Sequence, residues 1–164
     1  MAIRFNADEI LAVAVDIEVN GVRFYQTAAA AVAEGRPRQM LLDLAERERM
    51  HERTFKTMRE KLSPAHREPI TFDPDEESAL YLKALADAAV FKPQADPFAI
   101  FGRKPTYKDI ILAAMGIEKD SIVFYVGMKD FIPASMGRSD VDSILKEEMV
   151  HLTTLGKELA SIKD

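Results

Sequence analysis

The sequence predicts an all-α fold: a four-helix bundle with a long crossover between its second and third helices. Three observations predict it. Four long segments repeat apolar residues at helical spacing, a proline-rich stretch separates the second from the third, and the two halves of the chain match at a constant offset of 100 residues.

The first helix is expected over about Ala7–Ala33. Asn6 stands at its start with Glu9 three residues on, the pairing of a capping box, and Gly35 and Pro37 punctuate its end. The second is expected over about Arg38–Leu62, stopped by Ser63-Pro64. Residues 63–105 then hold six of the chain's eight prolines, around one short helical stretch at about Asp75–Phe91. A bundle whose second and third helices run parallel needs a crossover of this kind, so residues 1–164 are read as one domain. The third helix starts near Thr106, a capable cap, and ends before Pro133. The fourth covers about Ser139–Ile162, with Ser139 or Asp140 as the expected cap after Gly137.

Each helix carries an apolar stripe, and each stripe is broken near its middle by a glutamate. The first reads Leu11, Val15, Glu18, Val22, Tyr25, Ala29, and the second Leu41, Leu44, Glu48, His51, Phe55, Met58, Leu62. The third reads Ile111, Ala114, Glu118, Ser121, Tyr125, Met128, Ile132, and the fourth Val141, Ile144, Glu148, His151, Leu155, Ile162. A core glutamate costs several kcal/mol unless its charge is paired or coordinated. Any one of these, taken alone, could be a boundary residue, and a single Glu-x-x-His pair recurs by chance on helices. Four glutamates at matching depth, two of them with a histidine one turn on, call for a shared positive charge.

The offset of 100 ties these features together. Ile17-Glu18 and Phe24-Tyr25 match Ile117-Glu118 and Phe124-Tyr125, and Glu48-x-x-His51 matches Glu148-x-x-His151. Two helix pairs related by a pseudo-two-fold axis would each supply one Glu and one Glu-x-x-His to a cage for two ions. His66, the third histidine, falls in the proline-containing loop and is read as a solvated surface residue. Glu147, Glu52, Arg47, Arg49 and Arg53 are read as solvated flanks of the motifs.

Composition narrows the chemistry. Apolar residues make up 48% and charged residues 30%, with a formal net charge of -5, so neither nucleic acid nor membrane is an expected partner. Cysteine is absent, which excludes disulfides, thiolate nucleophiles, iron–sulfur ligation and cysteine-held zinc. Any metal must be held by carboxylate and imidazole. Met1–Asp8 lacks a signal-peptide pattern and no run reaches the roughly 18 apolar residues of a membrane span, so a cytoplasmic location is expected.

Two ions about 3.5–4 Å apart need carboxylates that bridge. Glu48 and Glu148 are the expected bridges, because each shares a helix face with a histidine, and Glu18 and Glu118 are the expected terminal ligands. Imidazole with carboxylate suits iron or manganese, with zinc a further candidate occupant, and four carboxylates offset the charge of a divalent pair. Open coordination positions would admit dioxygen or peroxide. Tyr25 and Tyr125 lie seven residues beyond Glu18 and Glu118 on the same faces. They are either core aromatics with satisfied hydroxyls or the catalytic phenols of the site, donating hydrogen bonds or acting in redox.

This ligand pattern resembles the ferritin-like superfamily, and most closely its rubrerythrin-like members, over about Ala7–Leu62 and Thr106–Ile162. The resemblance implies a ferritin-like bundle, a di-iron centre and reactivity with oxygen or peroxide. Full rubrerythrins carry a cysteine-rich rubredoxin domain, so without cysteine the electrons are expected from a separate electron-transfer protein. Ser121 stands where rubrerythrins usually add a second glutamate, which makes the ligand set similar to the symmetric six of bacterioferritin. With no fifth helix after Ile162 and a long crossover, a cage-forming iron store is not expected, and Met50 is not expected to ligate haem.

The leading expectation is a di-iron oxidoreductase that reduces peroxide or dioxygen to water. The alternatives are a ferroxidase in iron handling, a manganese catalase, and a structural bundle with a non-catalytic metal site. Val13, Ile17 and Val19 suggest a second buried face on the first helix, covered by a homodimer partner or by the crossover.

Overall fold

The computed structural model describes residues 6–67, 80, 97–132 and 134–162. Among these lie four long helices and no strand: α1 (Ala7–Ala31), α2 (Arg36–Glu60), α3 (Tyr107–Met128) and α4 (Arg138–Ser161).

Local chemistry accounts for where each begins. The Asn6 side chain accepts the Glu9 backbone N–H at 2.9 Å and the Glu9 carboxylate accepts that of Asn6 at 3.0 Å, closing the expected capping box. Thr106 and Asp109 repeat the box on α3, at 3.1 and 2.8 Å. α2 starts two residues sooner than expected, since Pro37 in the first turn forfeits no helical hydrogen bond. For α4 the expected caps Ser139 and Asp140 are corrected. Gly137 is the cap, at φ +101, which places both residues inside the first turn. An L side chain there would be strained, and its Cβ would meet Met58 at 3.1 Å.

α1 ends at Ala31, two residues short of the expected end, and α3 passes after Met128 into a 3₁₀ turn, Lys129–Phe131. The crossover contributes 3₁₀ turns at Pro64–Arg67 and Ala99–Phe101. The short helix expected at 75–91 lies, apart from residue 80, outside the described residues.

α1 packs most extensively on α2 and α3 on α4. Residues 32–35 join α1 to α2 directly, so the pair is antiparallel. Tyr25 reaches Glu118 and Tyr125 reaches Glu18, so α1 and α3 are antiparallel as well. It follows that α2 and α3 run parallel. The crossover must return along a bundle roughly 37 Å long, the length of a 25-residue helix.

All four stripes face inward, and Ile162 alone among their members is only partly buried. Apolar side chains form two clusters at opposite ends. One gathers Leu11, Phe55, Met128 and Val141, and the other gathers Leu41, Ala45, Ile111 and Leu155. The offset of 100 exchanges them, Leu11 with Ile111 and Phe55 with Leu155. Between them lies the polar layer. Ile17 is buried, and Val13 and Val19 are partly buried against the first cluster. No helix among the described residues is long and apolar enough to cross a membrane.

Candidate metal centre

The six stripe-breaking residues converge at mid-bundle. Glu18, Glu48, His51, Glu118, Glu148 and His151 are all buried, with Glu18 and Glu148 at 0% exposure. They form two overlapping groups: Glu18, Glu48, His51 and Glu148, then Glu48, Glu118, Glu148 and His151, each supplying ligand atoms within 4.8 Å of one another. Glu48 and Glu148 belong to both groups, the geometry that bridging carboxylates require.

Both imidazoles turn Nδ1 toward the carboxylates. His51 Nδ1 lies 3.1 Å from Glu148 Oε1 and 3.6 Å from Glu18 Oε2. His151 Nδ1 lies 3.1 Å from Glu48 Oε1 and from Glu148 Oε2, and 3.6 Å from Glu118 Oε2. The rings stack at 5.6 Å, inclined by 21°. One tyrosine closes each side by crossing the bundle: Tyr25 donates its hydroxyl proton to Glu118 Oε1, and Tyr125 donates to Glu18 Oε1. Their backing repeats too, with Phe24 edge-on to Tyr25 at 5.5 Å and Phe124 edge-on to Tyr125 at 6.0 Å.

The family model described as Rubrerythrin matches residues 9–159. The chain belongs to the rubrerythrin family. It is also similar to a solved structure from Thermotoga maritima, described as a candidate ferritin-like diiron-carboxylate protein. That similarity has 26% identity and a TM-score of 0.74, over 96% of this chain and 97% of the other. No curated protein matches the chain.

For a member of the rubrerythrin family the decisive question is whether these side chains fit an ion pair. Glu18 Oε2, Glu48 Oε1, His51 Nδ1 and Glu148 Oε1 are fully buried without a hydrogen-bond partner. Several face each other at ion-pair distance yet lack hydrogen-bond alignment. Buried polar atoms are normally satisfied, and a shared cation satisfies all four at once. The donor set therefore fits two divalent ions.

Electrostatics agree. Burial, then the charge of Glu48, pushes the Glu18 carboxyl well above the usual range, and burial raises Glu118 to about 8. Burial opposes protonation of the histidines, but the close contacts and charge of the carboxylates outweigh it. His51 rises to about 11 under Glu148 and Glu18, and His151 to about 12 under Glu118, Glu148 and Glu48. Burial opposes ionisation of Glu148 as well, yet its histidine contacts hold it below the usual range. Burial, then the charges of Glu118 and Glu18, raises Tyr25 and Tyr125. Both phenols thus stay protonated donors.

The sequence reading put Glu147 on a solvated flank, and the structure adds a contact that this reading missed. Its side chain is 44% exposed, yet Oε2 accepts a hydrogen bond from His51 Nε2 at 3.2 Å and pairs with Arg47 at 3.8 Å. Glu147 sits off the stripe and reaches across to α2, so no periodicity within α4 marks it. Gly21 was also missed: a Cβ there would lie 3.2 Å from Glu48 Cγ and Oε2, so its small size makes room for the Glu48 carboxylate. Glu52 bonds Lys56 on the surface and Arg49 bonds Glu46. His66 is half-buried and bonded to Ser63, outside the cage. A cleft of about 640 Å³ between α2 and α4 reaches the centre at His151, flanked by Arg36, Asp43, Arg47 and Glu147.

Proposed function

We propose that the chain is a non-haem di-iron oxidoreductase that reduces peroxide or dioxygen with electrons from a separate donor protein. Glu18, Glu48, His51, Glu118, Glu148 and His151 are the ligands in this reading. The observation that carries it is the pair of overlapping Glu/His groups sharing Glu48 and Glu148. When bound, two ferrous ions supply the two electrons that, with two protons, convert one hydrogen peroxide to two waters.

The chain's own residues do the rest. Glu48 and Glu148 would be shared by the two ions, and His51 and His151 would each hold one of them through Nδ1. Tyr25 and Tyr125 orient Glu118 and Glu18 by donating hydroxyl protons to the oxygen turned away from the histidines. The clusters above and below keep water out of the layer and leave the cleft beside His151 as the route for a small oxidant. The chain is proposed to act as a homodimer, which sedimentation would test directly.

Anaerobically reduced, iron-loaded protein mixed with stoichiometric peroxide tests this function. Rapid oxidation of both irons, with peroxide consumed one per iron pair, is expected. Iron accumulating far beyond two per chain would favour iron handling over oxidant reduction, and no reaction with either oxidant would sink the proposal.

A further inference from the structure

We infer that the two ion positions are inequivalent: the one on His51 binds more tightly and fills first, because Glu147 supports that histidine from behind and nothing comparable among the described residues supports His151. This rests on the di-metal reading above. His51 Nε2 donates to Glu147 Oε2 at 3.2 Å while its Nδ1 faces the cage. The same Glu147 oxygen lies 3.8 Å from Arg47 Nη1, which anchors the carboxylate on the rim. On the other side, every carboxylate contact of His151 is made by Nδ1, and among the described residues no carboxylate meets its Nε2. The offset of 100 explains the difference: the residue equivalent to Glu147 is Arg47, which has no acceptor.

The consequence follows from imidazole chemistry. A carboxylate on the remote N–H fixes the tautomer with its lone pair on Nδ1, holds the ring in place and makes Nδ1 a stronger donor. Losing such a partner lowers metal affinity by roughly 10–100-fold. Glu147 is thus a positioning residue for the His51 side. His151 lacks that support and borders the α2–α4 cleft, so its ion is the weaker and more exchangeable of the pair.

The test is a calorimetric titration of the full chain, stripped by chelator, with Zn²⁺ as probe. Two steps separated by about 10–100-fold are expected. Glu147→Gln should weaken the first step and draw the two together. Arg47→Glu gives His151 a carboxylate neighbour and takes the anchor from Glu147, so it should tighten the second step and loosen the first. Both positions are substantially exposed, at 44% and 58% of the side chain, so folding is not at stake. In the zinc-loaded protein, NMR should show a slowly exchanging Nε2 proton on His51 that Glu147→Gln speeds up, and a faster one on His151. Two equal steps in the unaltered chain, or Glu147→Gln leaving the steps as far apart as before, would overturn this inference and leave the di-metal reading standing. No Zn²⁺ binding at all would overturn both.

Discussion

The two halves of the bundle, α1–α2 and α3–α4, present the same groups to the cage and different groups just behind it. Facing inward, Glu18 and Glu118, Tyr25 and Tyr125, Glu48 and Glu148, and His51 and His151 are interchangeable, down to the tyrosines that cross between halves. One layer out the halves part. Arg47 stands against Glu147, Gly21 against Ser121, Phe55 against Leu155 and Met58 against Glu158. The ends are tied differently as well. Arg59 grips both Asp8 oxygens at 3.2 Å between α1 and α2, whereas Tyr107 donates to buried Glu158 at 3.1 Å between α3 and α4. A shared ion pair demands symmetry only of the atoms that reach it. The shell behind is free to make the two positions different.

Removing a shared carboxylate should erase the comparison, because Glu48 and Glu148 each belong to both groups. Glu48→Ala and Glu148→Ala should each drop metal content from two ions per chain to nearly none, read by elemental analysis. Retention of one tightly held ion would mean that the carboxylate serves one half only.

Raising pH should act on both halves alike. In protein stripped of divalent ions, Glu118 at about 8, His51 at about 11 and His151 at about 12 hold protons that the unfolded chain releases near 4.5 and 6.5. Their stabilisation is full below those unfolded values and is lost as pH climbs through the folded ones. Denaturant midpoints should therefore fall from pH 6 to pH 9. Divalent ions displace those protons, so metal affinity should rise over the same range. A midpoint that rises with pH in the stripped protein would contradict the burial and pairing of these groups.

Tyr25→Phe and Tyr125→Phe probe the symmetric layer directly. Each leaves a buried carboxylate oxygen without its donor, at a cost of about 1–3 kcal/mol, and the two costs should agree closely in equilibrium unfolding. A large cost in one and none in the other would show that the cross-bundle bonds are not equivalent.

The smallest effect is expected at Gly21. Alanine there gains about 1 kcal/mol of helix propensity but crowds Glu48 at 3.2 Å, so stability should change little while metal affinity falls. Ser121→Ala in the other half should leave affinity nearly unchanged. Equal effects on metal binding would remove Gly21 as the residue that makes room for the Glu48 carboxylate.

Much of this was legible in the sequence, for a physical reason. The six cage residues interrupt otherwise apolar stripes, and burying four glutamates is tolerable only around a common charge. The repeat fixed their relative depth. The capping boxes were legible because Asn6–Glu9 is a local, three-residue interaction. Glu147 was not, because its role depends on how α4 is rotated against α2. The cap of α4 was not, because the positive φ of Gly137 overrides the preference of Ser139 and Asp140 for the capping position. The crossed pairing of the tyrosines also waited on structure, since periodicity puts each on its own helix face and says nothing of which partner glutamate it meets.

The most direct test of the six-residue cage is the metal content and Mössbauer spectrum of the protein loaded with ⁵⁷Fe under anaerobic conditions, compared with the His51→Ala and Glu48→Ala variants. Two irons per chain in oxygen and nitrogen coordination, nearly all lost in Glu48→Ala and reduced in His51→Ala, is the predicted result. Iron binding that is unchanged in either variant would contradict it.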